Sequence, residues 1–203
     1  MSRSTNDGAT PLQIALEVTG HGHHPAVAGI SAAGHWLGLT GGVESPGRQP
    51  DTVARVRAAD LPSAARLVAG IRSELAATGI DPAGVAVLVD LEVMIALDAS
   101  SARRAVQRLD DLVAPPPPAT PRYVGTPAGL AGLIADIHAA GVADGVVLLP
   151  LVNREVLGHI AFRTLPVVES AGVQLLPARV AEIRLRALGG DADSPAAQRS
   201  RPA

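Results

Sequence analysis

The run VAVLVDLEVMIAL, residues 85–97, constrains this chain more than any other stretch. A strand with one wet face alternates apolar and polar residues, yet only Asp90 and Glu92 interrupt this β-branched, aliphatic run. A strand of that kind is covered on both faces, the usual condition of a parallel strand in an α/β protein. LQIALEV at 12–18 and GVVLLP at 145–150 have the same character, and TVARVRA at 52–58 reads as a further strand.

Helical patterns separate these runs. DLPSAARLVAGIRSELAATG, 60–79, places Leu67, Val68, Ile71 and Leu75 at helical spacing, with Asp60 to start the helix and Gly79 to end it. SSARRAVQRLDDLVA, 100–114, keeps its charges on one side. In the segment 123–152, YVGTPAGLAGLIADIHAAGVADGVVLLPLV, Thr126 is a good N-cap, Pro127 suits the first turn, and Leu130, Leu133, Ile134 and Ile137 form an apolar face. A further helix, bent or broken near Pro166, runs through LGHIAFRTLPVVESAG, and Tyr123 and Val124 form only a short extended link before the helix that follows them.

Strands alternating with helices imply right-handed parallel crossovers. A complete (β/α)8 barrel takes ~250 residues, and a chain of 203 with about four good strands has room for roughly half of one. The expected fold is therefore α/β, a partial TIM-barrel-like domain of parallel strands. One domain over 12–188 is expected, with a loop-rich 20–50, a Pro-rich connector at 114–122, and disordered ends at 1–11 and 189–203.

Composition removes several functions. The absence of Cys rules out disulfides, thiolate metal sites and a cysteine nucleophile. All 17 basic residues are Arg, so no Schiff-base lysine is available. A formal charge of −2 without a basic stripe argues against nucleic acid, and Trp36, Tyr123 and Phe162 as the only Phe, Tyr or Trp argue against a base-stacking surface. With no apolar run long enough to span a bilayer and a polar start, MSRSTNDGATP, the expectation is a soluble, cytoplasmic protein with no membrane partner.

Several of these motifs together resemble the bacterial luciferase-like flavin-dependent monooxygenases. Gly125, Thr126 and Pro127 match that family's Gly-Thr/Ser-Pro helix start, and Ala143, Asp144 and Gly145 its turn into a strand ending at proline, here Pro150. EVLGHIAFRTLPVVESAG resembles the family's closing helix, and LVDLEVMIALDASSARRAVQRLDDL a strand and helix upstream. LQIALEVTGHGHHPA is similar to the first strand and following loop of the branch that degrades amino-polycarboxylates and sulfur compounds. The likeness covers about 12–25 and 51–172, with little between them where the family has its middle strands and a long insertion, so the chain reads as an internally truncated member. The resemblance implies reduced FMN, or a deazaflavin coenzyme, and oxygen or hydride chemistry on a small organic substrate.

Candidate residues follow from both readings. His21, His23 and His24 lie just after the first strand, at the end where barrel sites lie, and a histidine there suits proton transfer near neutrality. An exposed Gly-His loop is the plainer alternative, and no carboxylate with ligand spacing supports a metal. Glu17 lies within the first strand, and alternation leaves its face open; for Asp90 and Glu92, ion pairs with Arg of a covering helix are expected. The resemblance makes AGIS, 28–31, or LTGG, 39–42, a remnant of the flavin-phosphate turn, which nominates Ser31, Gly41 and Gly42; a plain loop is the alternative. GTP at 125–127 has neither the spacing nor the lysine of a phosphate loop.

A rival reading is a non-catalytic remnant that pairs with a related chain or with itself. Half a barrel leaves two open sheet edges and an uncovered interior, so self-association is expected in either case. A complete small α/β domain is a third reading, although no Gly-x-Gly-x-x-Gly turn supports a dinucleotide-binding version.

Overall fold

The computed structural model describes residues 10–27, 35–41, 52–114 and 117–189. Ser31, Gly42, about half of the loop-rich segment and the tail from 190 lie outside them. Among the described residues six strands form one sheet: β1 (Gln13–Val18), β2 (His35–Gly38), β3 (Thr52–Val56), β4 (Val85–Ile95), β5 (Arg122–Gly125) and β6 (Gly145–Pro150). Their order is β2-β1-β6-β4-β3, with β5 on the same side of β4 as β3 and beyond its end. Every pairing is parallel except β1 with β2. The expected partial barrel of parallel strands is what the chain forms.

The long apolar run is central because it alone pairs with three strands. It stops at Ile95, and Leu97 is exposed. Tyr123 and Val124, expected as a mere link, pair with Val93 and Met94 and make β5 a true strand. Burying β4 requires that its second half also find a ladder partner.

Helices α1 (Leu61–Ala77), α2 (Ala99–Leu112), α3 (Pro127–Ala139) and α4 (Asn153–His159) cover the outer face. α1 turns Ala64 and Val68 inward, with Ile71 and Leu75 half-buried behind them. Leu67, expected on that face, is exposed because it stands a further ~100° around the helix from Val68. Tyr123 donates its hydroxyl to Thr126 O at 3.2 Å, and the Thr126 side chain accepts from Gly129 N–H to cap α3. A Cβ at Gly129 would stand 2.1 Å from that tyrosine oxygen, which explains the glycine in GTPAG.

The helix bent near Pro166 begins earlier than its sequence suggested, at Asn153, and passes through a π-turn, Ile160–Thr164, before α5 (Leu165–Ser170). Pro166 lacks an N–H and its ring crowds the carbonyl four residues back, that of Phe162, and the wider turn relieves this without ending the helix. Helix α6 (Pro177–Ala187) then packs on α4.

The inner face differs from expectation. Ala15, Leu88, Val147 and Leu149 form a small apolar cluster there and are only 0–3% exposed. That part of the inner face is therefore shielded from solvent rather than uncovered. Gly145 sets the closest contact: a Cβ there would lie 1.7 Å from Gln13 O of β1. Gly145→Ala should therefore force β1 and β6 apart at the sheet's centre and lower the unfolding free energy by roughly 3 kcal/mol, read from urea denaturation.

Capping carboxylates give the fold a defined acid response. The Ser100 and Ser101 hydroxyls, then Ser101 N–H, hold Asp98 well below the usual carboxylate range at the start of α2. Ser63 does the same for Asp60 at α1. Burial would raise Glu182 of α6, but hydrogen bonds from Arg179, Arg186 and His35 outweigh it and lower its pKa. A depressed folded pKa means stability that is present above the unfolded value and lost as pH falls through the folded one. Thermal unfolding should fall steeply below pH ~4, and Asp98→Asn should lose part of that slope.

Candidate functional site

The strand register stacks the inward side chains in layers, as in a barrel interior. Lowest are Gln13, Gly145, Leu88 and Arg55. Above them come Gly38, Ala15, Val147 and Asp90. Uppermost, at the carboxyl ends of the parallel strands, are Trp36, Glu17, Leu149, Glu92 and Arg122; Glu17 follows the Leu16–Leu148 pair. Ala15, Leu88 and Val147 are closed to solvent in the lower layers, whereas Arg55 and both glutamates are partly accessible and Trp36 is 41% exposed.

One guanidinium organises this face. Asp90 is fully buried and accepts from Arg55 Nε and from Arg57 Nε, the latter at 2.6 Å. Arg55 Nη1 also pairs with Glu17 of β1, and its Cζ lies 5.4 Å from the Trp36 ring centroid on β2. Arg55 thus crosses the inside of the sheet from edge strand β3 to edge strand β2. Burial works against its charge, but hydrogen bonds and attraction from Asp90 and Glu17 prevail and raise its pKa.

A second chain of contacts runs beside the first. Arg122 Nε donates to Glu92 Oε2 at 2.8 Å, and its Nη1 lies 3.7 Å from Asp110 of α2. His24 Nε2 lies 2.9 Å from the same Asp110 oxygen. Because His24 Nδ1 accepts Ala26 N–H at 3.1 Å, Nε2 carries the proton and donates to Asp110. The arginines that pair with Asp90 and Glu92 therefore come from neighbouring strands and their ends, not from a covering helix. Side chains two residues apart on a strand share a face, so paired strands bring them into line.

The candidate histidines part company. His24 is fully buried with both ring nitrogens engaged. His23 is half-buried, its Nε2 3.0 Å from Glu17 O, and His21 is exposed. Asn153 holds their loop, donating its N–H to His21 O and its side-chain amide to Thr19 O and Gly20 O. Glu17 sits on the inner face, against Arg55. Gly41 lies at the other end of the strands, beside Thr40, whose hydroxyl oxygen accepts Ile14 N–H and donates to Gln13 Oε1. No group of three or more His, Asp or Glu among the described residues is arranged to hold a metal ion, and no helix among them is long and apolar enough to cross a membrane.

Arg55, Arg57, Arg122 and Trp36 went unnoticed as site residues. A signal existed: Arg-x-Arg in VARVR and Asp-x-Glu in VDLEV are both charges at strand period in apolar runs, and their signs are opposite.

No protein-family model matches this chain, and neither does any curated protein. Solved structures do. EDTA monooxygenase EmoA from Chelativorans sp. BNC1 is similar with a TM-score of 0.52 at 16% identity, over 68% of this chain and 46% of that one. Riboflavin lyase RcaE, solved with modified FMN and riboflavin, gives 0.53 at 18% over 68% and 43%, and long-chain alkane monooxygenase LadA gives 0.53 at 13% over 70% and 41%. This chain spans less than half the length of each, and the likeness is one of fold.

Removing Asp90 should expose how much the inner face depends on it. Asp90→Ala leaves Arg55 and Arg57 without their buried partner and should cost about 3 kcal/mol in urea denaturation, while Arg57→Gln, at a largely solvated side chain, should cost well under 1 kcal/mol.

Proposed function

We propose that this chain is a luciferase-like flavin-dependent oxidoreductase of the monooxygenase type, acting on a small organic substrate. The observation that carries the reading is the barrel-type sheet, shared with two monooxygenases and an FMN-containing lyase, with its partly open layer at the carboxyl ends of the strands. Barrel enzymes place their sites at that end.

The residues present fit a flavin there. The Arg57 side chain is largely exposed and Arg122 a quarter exposed, so both offer guanidinium donors to an anionic phosphate tail. Leu149 gives that layer an apolar floor between Glu17 and Glu92. Reduced flavin, when bound, supplies the electrons for oxygen chemistry. His21 and His23 stand at the strand ends as proton carriers, while His24 serves as a positioning residue that ties their loop to α2 through Asp110. Glu17 accepts a substrate or cofactor N–H while Arg55 fixes its carboxylate. Ser31 and Gly42 stay proposed phosphate contacts outside the described residues, and Gly41, at the far end of the strands, gives that role to Arg57.

A second reading has its own observation. Arg55 reaches across the inner face, and the likeness covers under half of each similar enzyme, which suits a non-catalytic partner that pairs through the edges β2 and β3. Anaerobic titration with oxidised and reduced FMN and with a deazaflavin, followed by co-elution, separates the two. The flavin reading expects about one equivalent retained, with affinity weakened about tenfold by Arg57→Gln. Retention of none of these ligands would overturn it in favour of the partner reading.

A further inference from the structure

Trp36 is the one tryptophan of a chain with only three Phe, Tyr or Trp residues, and it stands two-fifths exposed on an edge strand. It belongs to the uppermost inner layer, level with Glu17, so its ring lies at the mouth of the barrel fragment. A lone exposed aromatic is ordinarily unremarkable, but this one is held. Arg55 lies over its ring at 5.4 Å, and Arg55 is itself fixed by the buried Asp90 and by Glu17. The indole is therefore preorganised: a ligand that uses it does not have to order it first.

We propose that the exposed part of the Trp36 ring, backed by Arg55, is a stacking platform for a planar heteroaromatic ring at the carboxyl end of the strands. An aromatic surface favours such a ring by dispersion and quadrupole attraction. Its register neighbour Glu17, partly exposed, suits the polar edge of such a ring by accepting an N–H. In its specific form, that the ring is the flavin's isoalloxazine, the assignment rests on the function proposed above.

Because Trp36 is the sole tryptophan, its emission reports on the platform directly. The intact chain is titrated anaerobically with FMN, with binding read by dialysis from flavin absorbance and stacking read from Trp36 emission. Saturable quenching that tracks retention is expected, with FMN bound about tenfold more weakly by Trp36→Leu, less so by Trp36→Phe, and an unchanged far-ultraviolet spectrum in both. FMN retained equally well by wild type and Trp36→Leu overturns the platform and leaves the flavin reading standing. If wild type retains neither oxidised nor reduced FMN nor a deazaflavin, the flavin reading falls and the platform is judged by riboflavin and proflavine. Saturable quenching by either probe then supports it, and quenching by neither overturns it.

Discussion

A buried carboxylate with two arginines holds this barrel fragment closed. Asp90 lies on the central strand with no exposure, and a lone charge in that position costs several kcal/mol. Arg55 and Arg57 offset that cost, and Arg55 goes on to Glu17 and Trp36. A sheet of six strands needs a strong curl for one edge strand to reach the other across its inner face. Arg55 suits the span because its long stem covers apolar surface while its planar head makes several directed bonds. The four aliphatic side chains of the inner cluster lie on the same face of the sheet and are buried.

The outer face obeys ordinary hydrophobic rules, with Leu130, Ile134 and Ile137 of α3 and Val156 and Leu157 of α4 buried against the strands. The two faces meet in the loop after β1, where Gly22 takes a positive φ of 143° and a Cβ would meet Leu151 O at 2.2 Å. That contact lets His23 and His24 donate their backbone N–H groups to Pro150 O and Leu151 O. The histidine loop is thereby tied to the end of β6, and its side chains receive different environments from one backbone path.

Fold and function rest on different supports. The parallel sheet and its covering helices need only aliphatic runs, caps and glycine contacts, and these recur in proteins of many activities. The uppermost layer is more particular. Its two glutamates are each held by an arginine, which fixes their orientation and leaves a charged, partly aromatic rim.

Periodicity and capping chemistry are local, so the sequence alone determined the parallel aliphatic strands, the caps at Asp60 and Thr126, and the size of a partial barrel. It also placed the histidines at the carboxyl end of β1. It could not assign Leu67 or Leu97 to solvent, since helix phase and strand ends are decided by neighbouring elements. It could not separate His24 from His23, nor predict that Arg55 would reach Asp90, Glu17 and Trp36 across the inner face. Those outcomes depend on partners 86 residues away for His24 and 35 for Arg55, brought together by strand register and sheet curl. A residue's spacing gives the face it occupies within its own element, whereas only the tertiary structure decides which charge stands opposite.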